Sequence, residues 1–159
     1  MNTKDYQKSI TVSNPADEVY AAITQHIPDW WSDDFSGASA QKGDEYNIAF
    51  GGTRKTFQIQ EAIPGKQVVW LCLKAYIDME ALKKKDEWAG TRLIWTIAGD
   101  EYGTALTMLH EGLNKSFECY DVCEPAWDYF MASLQAYLTT GTGTPYHKQE
   151  ARLEWEEKK

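Results

Sequence analysis

A single strongly amphipathic segment near the C-terminus constrains the fold more than any other feature of the sequence. From residue 125 to residue 138, large apolar side chains recur at spacings of three and four, the period of one face of an α-helix. The members of this stripe are Trp127, Phe130, Met131, Leu134, Tyr137 and Leu138. Gly141 follows as a natural helix stop. A lone helix with so wide an apolar face must be covered by another part of the chain.

Strand patterns dominate the rest of the sequence. Alternating apolar and polar residues predict a first strand from 6 to 12. Two short helices follow: one has Asn14 as N-cap and Pro15 as its first residue, and the other begins at Pro28. About five strands come next, separated by turns rich in Gly and Pro. Their apolar positions of equal parity are Tyr46, Ile48 and Phe50; Phe57, Ile59 and Ile63; Val68, Trp70 and Cys72; Leu93, Trp95 and Ile97; and Leu106, Met108 and His110.

This order of elements predicts an α+β domain in which an antiparallel sheet of about six strands packs on the long C-terminal helix. The charged residues 78–87 are expected to form a solvated loop. We place the single domain at residues 1–146 and a charged tail at 147–159. The strand around Trp70 is apolar on both faces, which fits either a strand buried on both sides or a surface for a partner.

Charge and cysteine content exclude several classes of function. The 159 residues carry a formal net charge of −8, which disfavours binding to nucleic acid or to anionic membrane surfaces. No stretch approaches the roughly 20 apolar residues that span a bilayer. The N-terminal residues are polar and do not resemble a signal peptide. Together with the odd number of cysteines, three, this predicts a reducing, cytoplasmic location.

A series of short motifs carries a family resemblance over roughly residues 6–146. They are Asn14-Pro15-Ala16-Asp17-Glu18-Val19-Tyr20, Trp30-Trp31, Glu87-Trp88-Ala89-Gly90-Thr91, Gly103-Thr104-Ala105-Leu106-Thr107, His110-Glu111-Gly112-Leu113, Glu118-Cys119-Tyr120-Asp121, Cys123, Ala126-Trp127, Ser133-Leu134 and the stretch 139–145. The chain resembles the START-like or SRPBCC superfamily, and within it the branch related to the C-terminal domain of the activator of the heat-shock-protein-90 ATPase. The resemblance implies a helix-grip fold, a curved sheet wrapped around the helix. Superfamily members include lipid carriers, hormone receptors, aromatase-cyclases, oxygenase domains and cochaperone domains.

A cavity between sheet and helix is the feature that we expect to carry function. Aromatic residues make up 13% of the chain, more than a small sheet-and-helix core seems to need. We expect the cavity to be lined by Trp30, Trp31, Phe50, Phe57, Trp70, Trp95, Met108, His110, Trp127, Phe130 and Leu134. In this fold the entrance usually lies beside the short helices and the loops near them. We therefore expect Trp30 or Trp31, and the charged insertion at residues 78–88, to lie near the entrance.

His110 is the only catalytic candidate. It shares the parity of Leu106 and Met108, so it is expected to face the cavity, as a general acid or base or as a partner for a ligand's polar end. The alternative is a buried histidine satisfied by a backbone or carboxylate partner. Cys119 and Cys123 are four residues apart, which is not the C-x-x-C spacing of zinc or redox sites, so no metal and no cofactor is expected.

The favoured function is therefore the binding of a small apolar or aromatic molecule in the cavity. Two alternatives stay open: an enzyme of the cyclase or hydrolase kind that uses His110, and a protein-interaction module that stimulates a chaperone ATPase. A chaperone partner and a homodimer are the macromolecular partners to be tested.

Overall fold

The computed structural model describes residues 4–148, so most of the predicted tail 147–159 lies outside the described residues. The elements in chain order are β1 (Tyr6–Val12), α1 (Ala16–Gln25), a 3-10 turn (Ile27–Asp29), β2 (Phe35–Gly37), β3 (Glu45–Phe50), β4 (Thr53–Ile63), β5 (Gln67–Tyr76), β6 (Arg92–Asp100), β7 (Gly103–Glu111) and α2 (Tyr120–Thr140). This is the predicted α+β order: strand, two short helices, a run of strands and one long helix.

The strands form one antiparallel sheet in the order β1-β7-β6-β5-β4-β3-β2. Seven strands are present among the described residues, where the sequence indicated about six. The additional strand is β2, in which Phe35 pairs with Ile48 of β3. Three residues are too few to show a period of two, which is why the polar stretch around β2 gave no strand signal.

Irregularities in β4 and β5 bend the sheet. Their pairing shifts register between Thr56 and Phe57 and again between Ile59 and Glu61. Extra residues of this kind bend a strand and increase its twist, which lets the sheet curve around α2. They also reverse the inward parity. Ile63 shares its parity with Phe57 and Ile59 in the sequence, yet those two are buried and Ile63 is 41% exposed.

The helix α2 begins five residues before the predicted start at Pro125. The Glu87 carboxylate accepts hydrogen bonds from the backbone N–H groups of Glu118 (3.1 Å) and Cys119 (3.2 Å), two donors that the start of a helix leaves unpaired. The helix ends as predicted at Gly141, which adopts a positive φ of 85° and donates its N–H to the Tyr137 carbonyl.

Asn14 does not have its predicted role as N-cap of α1, a position that Pro15 occupies. Its Nδ2 instead donates to the Leu138 carbonyl at 2.7 Å, near the end of α2, and to the Glu18 carboxylate at 3.2 Å. The last turn of a helix exposes unpaired carbonyls, so this contact joins the N-terminal segment to α2.

Candidate functional site

A cavity of about 270 Å³ opens between the N-terminal half of α2 and the β3–β4 hairpin. Its volume is close to the lower limit of the roughly 300–1,000 Å³ typical of small-molecule sites. The lining residues are Trp31, Phe50, Thr53, Lys55, Ile77, Met79, Trp88, Val122, Cys123, Ala126, Trp127, Phe130 and Tyr146. Most of these side chains are aromatic or aliphatic, which suits an apolar ligand.

Four of the eleven predicted cavity residues line this space: Trp31, Phe50, Trp127 and Phe130. The structure places the other seven in the packed core instead of at the cavity wall, each with 0% exposure: Trp30, Phe57, Trp70, Trp95, Met108, His110 and Leu134. Parity along a strand predicts that a side chain points inward, and it does not say whether the space opposite is filled.

A column of tryptophan rings fills much of the space between sheet and helix. Trp88 stacks on Trp127 with ring centroids 5.8 Å apart and an angle of 9°. Trp127 stacks in turn on Trp31 at 5.1 Å, and Trp31 stacks on Trp70 at 5.8 Å. Flat rings in near-parallel contact leave little room, so the cavity is confined to one side of the column.

His110 lies outside the cavity, and both of its ring nitrogens are paired. The Trp127 indole can only donate, so its Nε1–H donates to His110 Nδ1 at 3.1 Å. Nε2 must then carry the proton, and it donates to Thr91 Oγ1 at 2.8 Å. The Thr91 hydroxyl donates onward to the Trp88 carbonyl at 2.6 Å. This chain fixes a neutral tautomer.

The electrostatics of His110 agree with that geometry. Burial, with a smaller contribution from the positive charge of Lys55, lowers the pKa of the imidazole from 6.5 to about 3. The ring is therefore neutral over the physiological range. It matches the buried, satisfied histidine more closely than an exchanging acid or base, although its partners are a threonine and a tryptophan instead of a backbone group or carboxylate.

Lys55 is the charged group of the cavity. It lies on β4 with only 8% of its surface exposed. Its Nζ lies 3.5 Å from the centroid of the Trp88 ring and 5.5 Å from that of Phe50, both of which line the cavity. Burial lowers the pKa of the ammonium from 10.5 to about 8, an effect that nearby thiols partly oppose. Lys55 therefore carries its charge at neutral pH inside an apolar space.

Two buried thiols lie at the start of α2, and one of them borders the cavity. A hydrogen bond from Cys119 lowers the pKa of the Cys123 thiol to about 7, with further help from Lys55 and Trp88. The Trp88 Nε1–H donates to Cys123 Sγ at 3.2 Å. The same hydrogen bond and burial raise the pKa of Cys119. Only Cys123 thus has partial thiolate character near neutral pH.

The segment between β5 and β6 forms one wall of the cavity, where the sequence indicated a solvated loop. Ile77 and Met79 line the space, and Leu82 is 7% exposed. The Glu118 carboxylate accepts hydrogen bonds from the backbone of two lysines in this segment, and Lys85 Nζ donates to the carbonyls of Met79 and Leu82. These contacts hold the segment against the start of α2.

The residues after α2 complete the wall. Tyr146 packs its ring on Phe50 with centroids 5.9 Å apart. Its backbone N–H donates to the Trp31 carbonyl at 2.9 Å, and its carbonyl accepts from the Asp33 N–H at 3.0 Å. The chain after α2 is thereby fastened next to Trp31, on the rim of the cavity.

Sequence reasoning missed Lys55, although a signal was present. Lys55 has the same parity as Phe57 and Ile59, so the alternation that placed those two in the core also placed a lysine there. Trp88 and Cys123 were noticed as motif residues without being assigned to the cavity. Thr91 could not have been paired with His110 from the sequence, because that contact depends on the register of β6 and β7.

A depression of about 710 Å³ lies on the outer face of the sheet, and another of the same volume lies beside Pro15 and Gly99. The walls of the depression on the outer face include Lys42, Gln58, Gln60, Glu61 and Arg92. Long polar side chains of this kind stay hydrated, so they offer an apolar ligand little gain from burial. Within residues 4–148 no cluster of three metal-ligating side chains occurs, and no helix is long and apolar enough to cross a membrane.

Comparison with known proteins identifies the fold. No family model and no curated protein matches the sequence. Among solved structures, the Aha1 dimer from Colwellia psychrerythraea superposes with a TM-score of 0.72 at 23% identity, over 90% of this chain and 100% of that one. The chain has the START-like helix-grip fold. The fold implied by the sequence resemblance is thus confirmed, with Aha1 among its structural relatives.

Two further solved structures also superpose on the chain. DynU16, a protein in the dynemicin biosynthetic locus, gives a TM-score of 0.69 at 21% identity, over 93% of this chain and 52% of that one. CalU16 from Micromonospora echinospora gives 0.61 at 16% identity, over 98% and 93%. At these identities the similarity establishes the shared fold alone, because one fold can carry many functions.

Proposed function

We propose that this protein binds a small apolar or aromatic molecule in the 270 Å³ cavity beside α2. The observation that carries the proposal is the composition of the wall: rings of Trp31, Phe50, Trp127 and Phe130 surround a space that the packed core does not fill. Burial of apolar surface at about 25 cal/mol per Å² would supply most of the affinity. The helix-grip fold, in which a sheet and a helix enclose an internal space, supports the same function.

A neutral apolar dye tests the proposal. N-phenyl-1-naphthylamine should bind the native protein saturably, with a rise in dye fluorescence and quenching of the tryptophans. Ala126 is exposed on α2 and borders the cavity, so Ala126→Trp should fill the space and weaken dye binding by about tenfold or more. The variant should keep its fold, because an exposed helical position tolerates the change at a cost below about 1 kcal/mol.

Ala132→Trp is the matched control, since Ala132 is also exposed on α2 but does not line the cavity. It should bind the dye like the wild type. Absence of saturable binding to the native protein would refute the proposal. Equal effects of the two substitutions would place the dye elsewhere and would refute it as well.

The alternatives lack an observation of equal weight. His110, the residue that an enzyme was expected to use, has both ring nitrogens engaged within the core. The outer face of β5 carries Val69, Leu71 and Leu73, the last 37% exposed, and a homodimer contact at this face stays a prediction that sedimentation would test. A chaperone partner and the cytoplasmic location also stay predictions.

A further inference from the structure

We propose that the ligand of this cavity carries a carboxylate on an apolar, aromatic body, and that the Lys55 ammonium binds it. This inference rests on the proposed function and adds the chemical class of the ligand. It follows from the place of one cation: Lys55 is the only charged side chain among the described residues that line the cavity.

The surroundings of Lys55 do not neutralise its charge. The rings of Trp88 and Phe50 offer their faces to the ammonium, which is a cation–π arrangement. Within residues 4–148 the amine makes no hydrogen bond and no ion pair with a carboxylate. A buried ammonium has three donors, so its hydrogen-bonding capacity is available to a molecule in the cavity.

The titratable groups that face Lys55 come from three elements. They are Cys72 on β5, Cys119 and Cys123 at the start of α2, and His110 on β7. His110 is neutral and cannot balance the charge. Burial raises the pKa of Cys72 to about 12, so this thiol stays protonated. Cys123 is the internal group that could compete with a ligand anion, because the hydrogen bond from Cys119 and the charge of Lys55 lower the pKa of its thiol; lowering the pH weakens that competition.

The rest of the wall determines the body of the ligand. Apolar side chains on β3, on the segment after β5 and on α2 surround the amine, which suits flat rings and excludes a strongly hydrated polyanion such as a free phosphate ester. An anion at one end of an apolar body would place its charge on Lys55 and its rings against Phe130 and Trp127. Pockets of this kind use one or two polar groups to set orientation.

Two probes of nearly the same shape separate charge from apolar binding: 2-naphthoate and its neutral analogue 2-naphthamide. Calorimetric titration at pH 6.5 should show that the wild type binds naphthoate about tenfold or more tightly than naphthamide, the gain expected of a charge-assisted hydrogen bond in a dry site. Lys55→Met should remove this preference and leave naphthamide affinity unchanged. Lys55→Arg should retain much of the preference, and Lys74→Met, a change at an exposed lysine, should retain all of it.

Every outcome of this experiment decides between the claims. Equal binding of the two probes to the wild type would overturn the role of Lys55 and leave the proposed function intact. A preference that survives in Lys55→Met would assign the anion to another group. Loss of both probes in Lys55→Met would show that the lysine only shapes the wall. If neither probe binds the wild type, the proposed function fails first and this inference fails with it.

Discussion

The two halves of α2 present the same apolar stripe to very different surroundings. In the C-terminal half, Met131 and Leu134 have no exposed surface. In the N-terminal half, Val122 and Phe130 border an open cavity and remain partly exposed. The apolar stripe follows one helical period throughout. The two halves therefore differ in burial because different parts of the chain lie opposite them.

What faces the N-terminal half is a lysine on the inward side of β4 and the wall formed by the segment after β5. The C-terminal half of α2 is part of the hydrophobic core. Beside the N-terminal half, position 55 holds an ammonium whose charge lies among apolar side chains. One half of the helix therefore packs in the core, and the other borders a cavity with a charge in it. A substitution in the packed half of α2 and one at Lys55, which faces the other half across the cavity, should therefore change the free energy of unfolding in opposite directions.

The largest effect is expected in the packed half. Leu134→Ala deletes a fully buried side chain and should lower the free energy of unfolding by about 2–5 kcal/mol, from lost burial plus the void that remains. Urea denaturation measures it. Affinity for the neutral dye should change little, because Leu134 does not line the cavity. An unchanged denaturation midpoint would show that the packed half is not what stabilises the domain.

A substitution at Lys55 is expected to change the free energy of unfolding in the opposite direction. Its pKa is about 8 in the folded chain and 10.5 in the unfolded chain, so the charged ammonium lowers the free energy of unfolding. This destabilisation is complete below pH 8 and disappears as the pH rises towards 10.5. Lys55→Met should raise the free energy of unfolding by about 3 kcal/mol at pH 7, and the gain should shrink to below about 1 kcal/mol at pH 10. Lys74→Met should give no such pH-dependent gain. A destabilised Lys55→Met would mean that contact with Trp88 outweighs burial of the charge.

A smaller effect is expected at His110. Its folded pKa of about 3 lies below the unfolded value of 6.5, so its stabilising contribution is complete above pH 6.5 and is lost as the pH falls towards 3. Between pH 7 and pH 5 this residue should account for a loss of about 2 kcal/mol. His110→Gln keeps an acceptor for Trp127 and a donor for Thr91. In urea denaturation, the free energy of unfolding of this variant should therefore fall less than that of the wild type between pH 7 and pH 5. Identical pH dependence in the two proteins would contradict a neutral buried imidazole.

The sequence predicted the fold well because the signals that set it are periodic. The stripe on α2, the alternation in β1, β6 and β7, and the stop at Gly141 are properties of short stretches. The strand β2 was missed because three residues are too few to show a period of two. The parity that Ile63 shares with Phe57 and Ile59 does not place it on their face, because a register shift lies between Ile59 and Glu61. The start of α2 was placed late because Glu87, distant in sequence, supplies its first hydrogen-bond acceptors.

The cavity was harder to predict than the fold. Strand parity, the helical stripe and the expected entrance identified Trp31, Phe50, Trp127 and Phe130 together with seven residues that pack solidly, because pattern alone carries no information on volume. Lys55 was overlooked because charged residues are normally assigned to the surface. Its position in the alternation is nonetheless the sequence feature that distinguishes this cavity from a filled core.

The most direct test of the account is a crystal structure of the protein with 2-naphthoate. We predict the naphthalene between Phe130 and Trp127, with a carboxylate oxygen about 3 Å from Lys55 Nζ. The side chains of the packed half should keep their positions. A naphthoate bound on the outer face of the sheet, or one in the cavity with its carboxylate turned to solvent away from Lys55, would contradict the account.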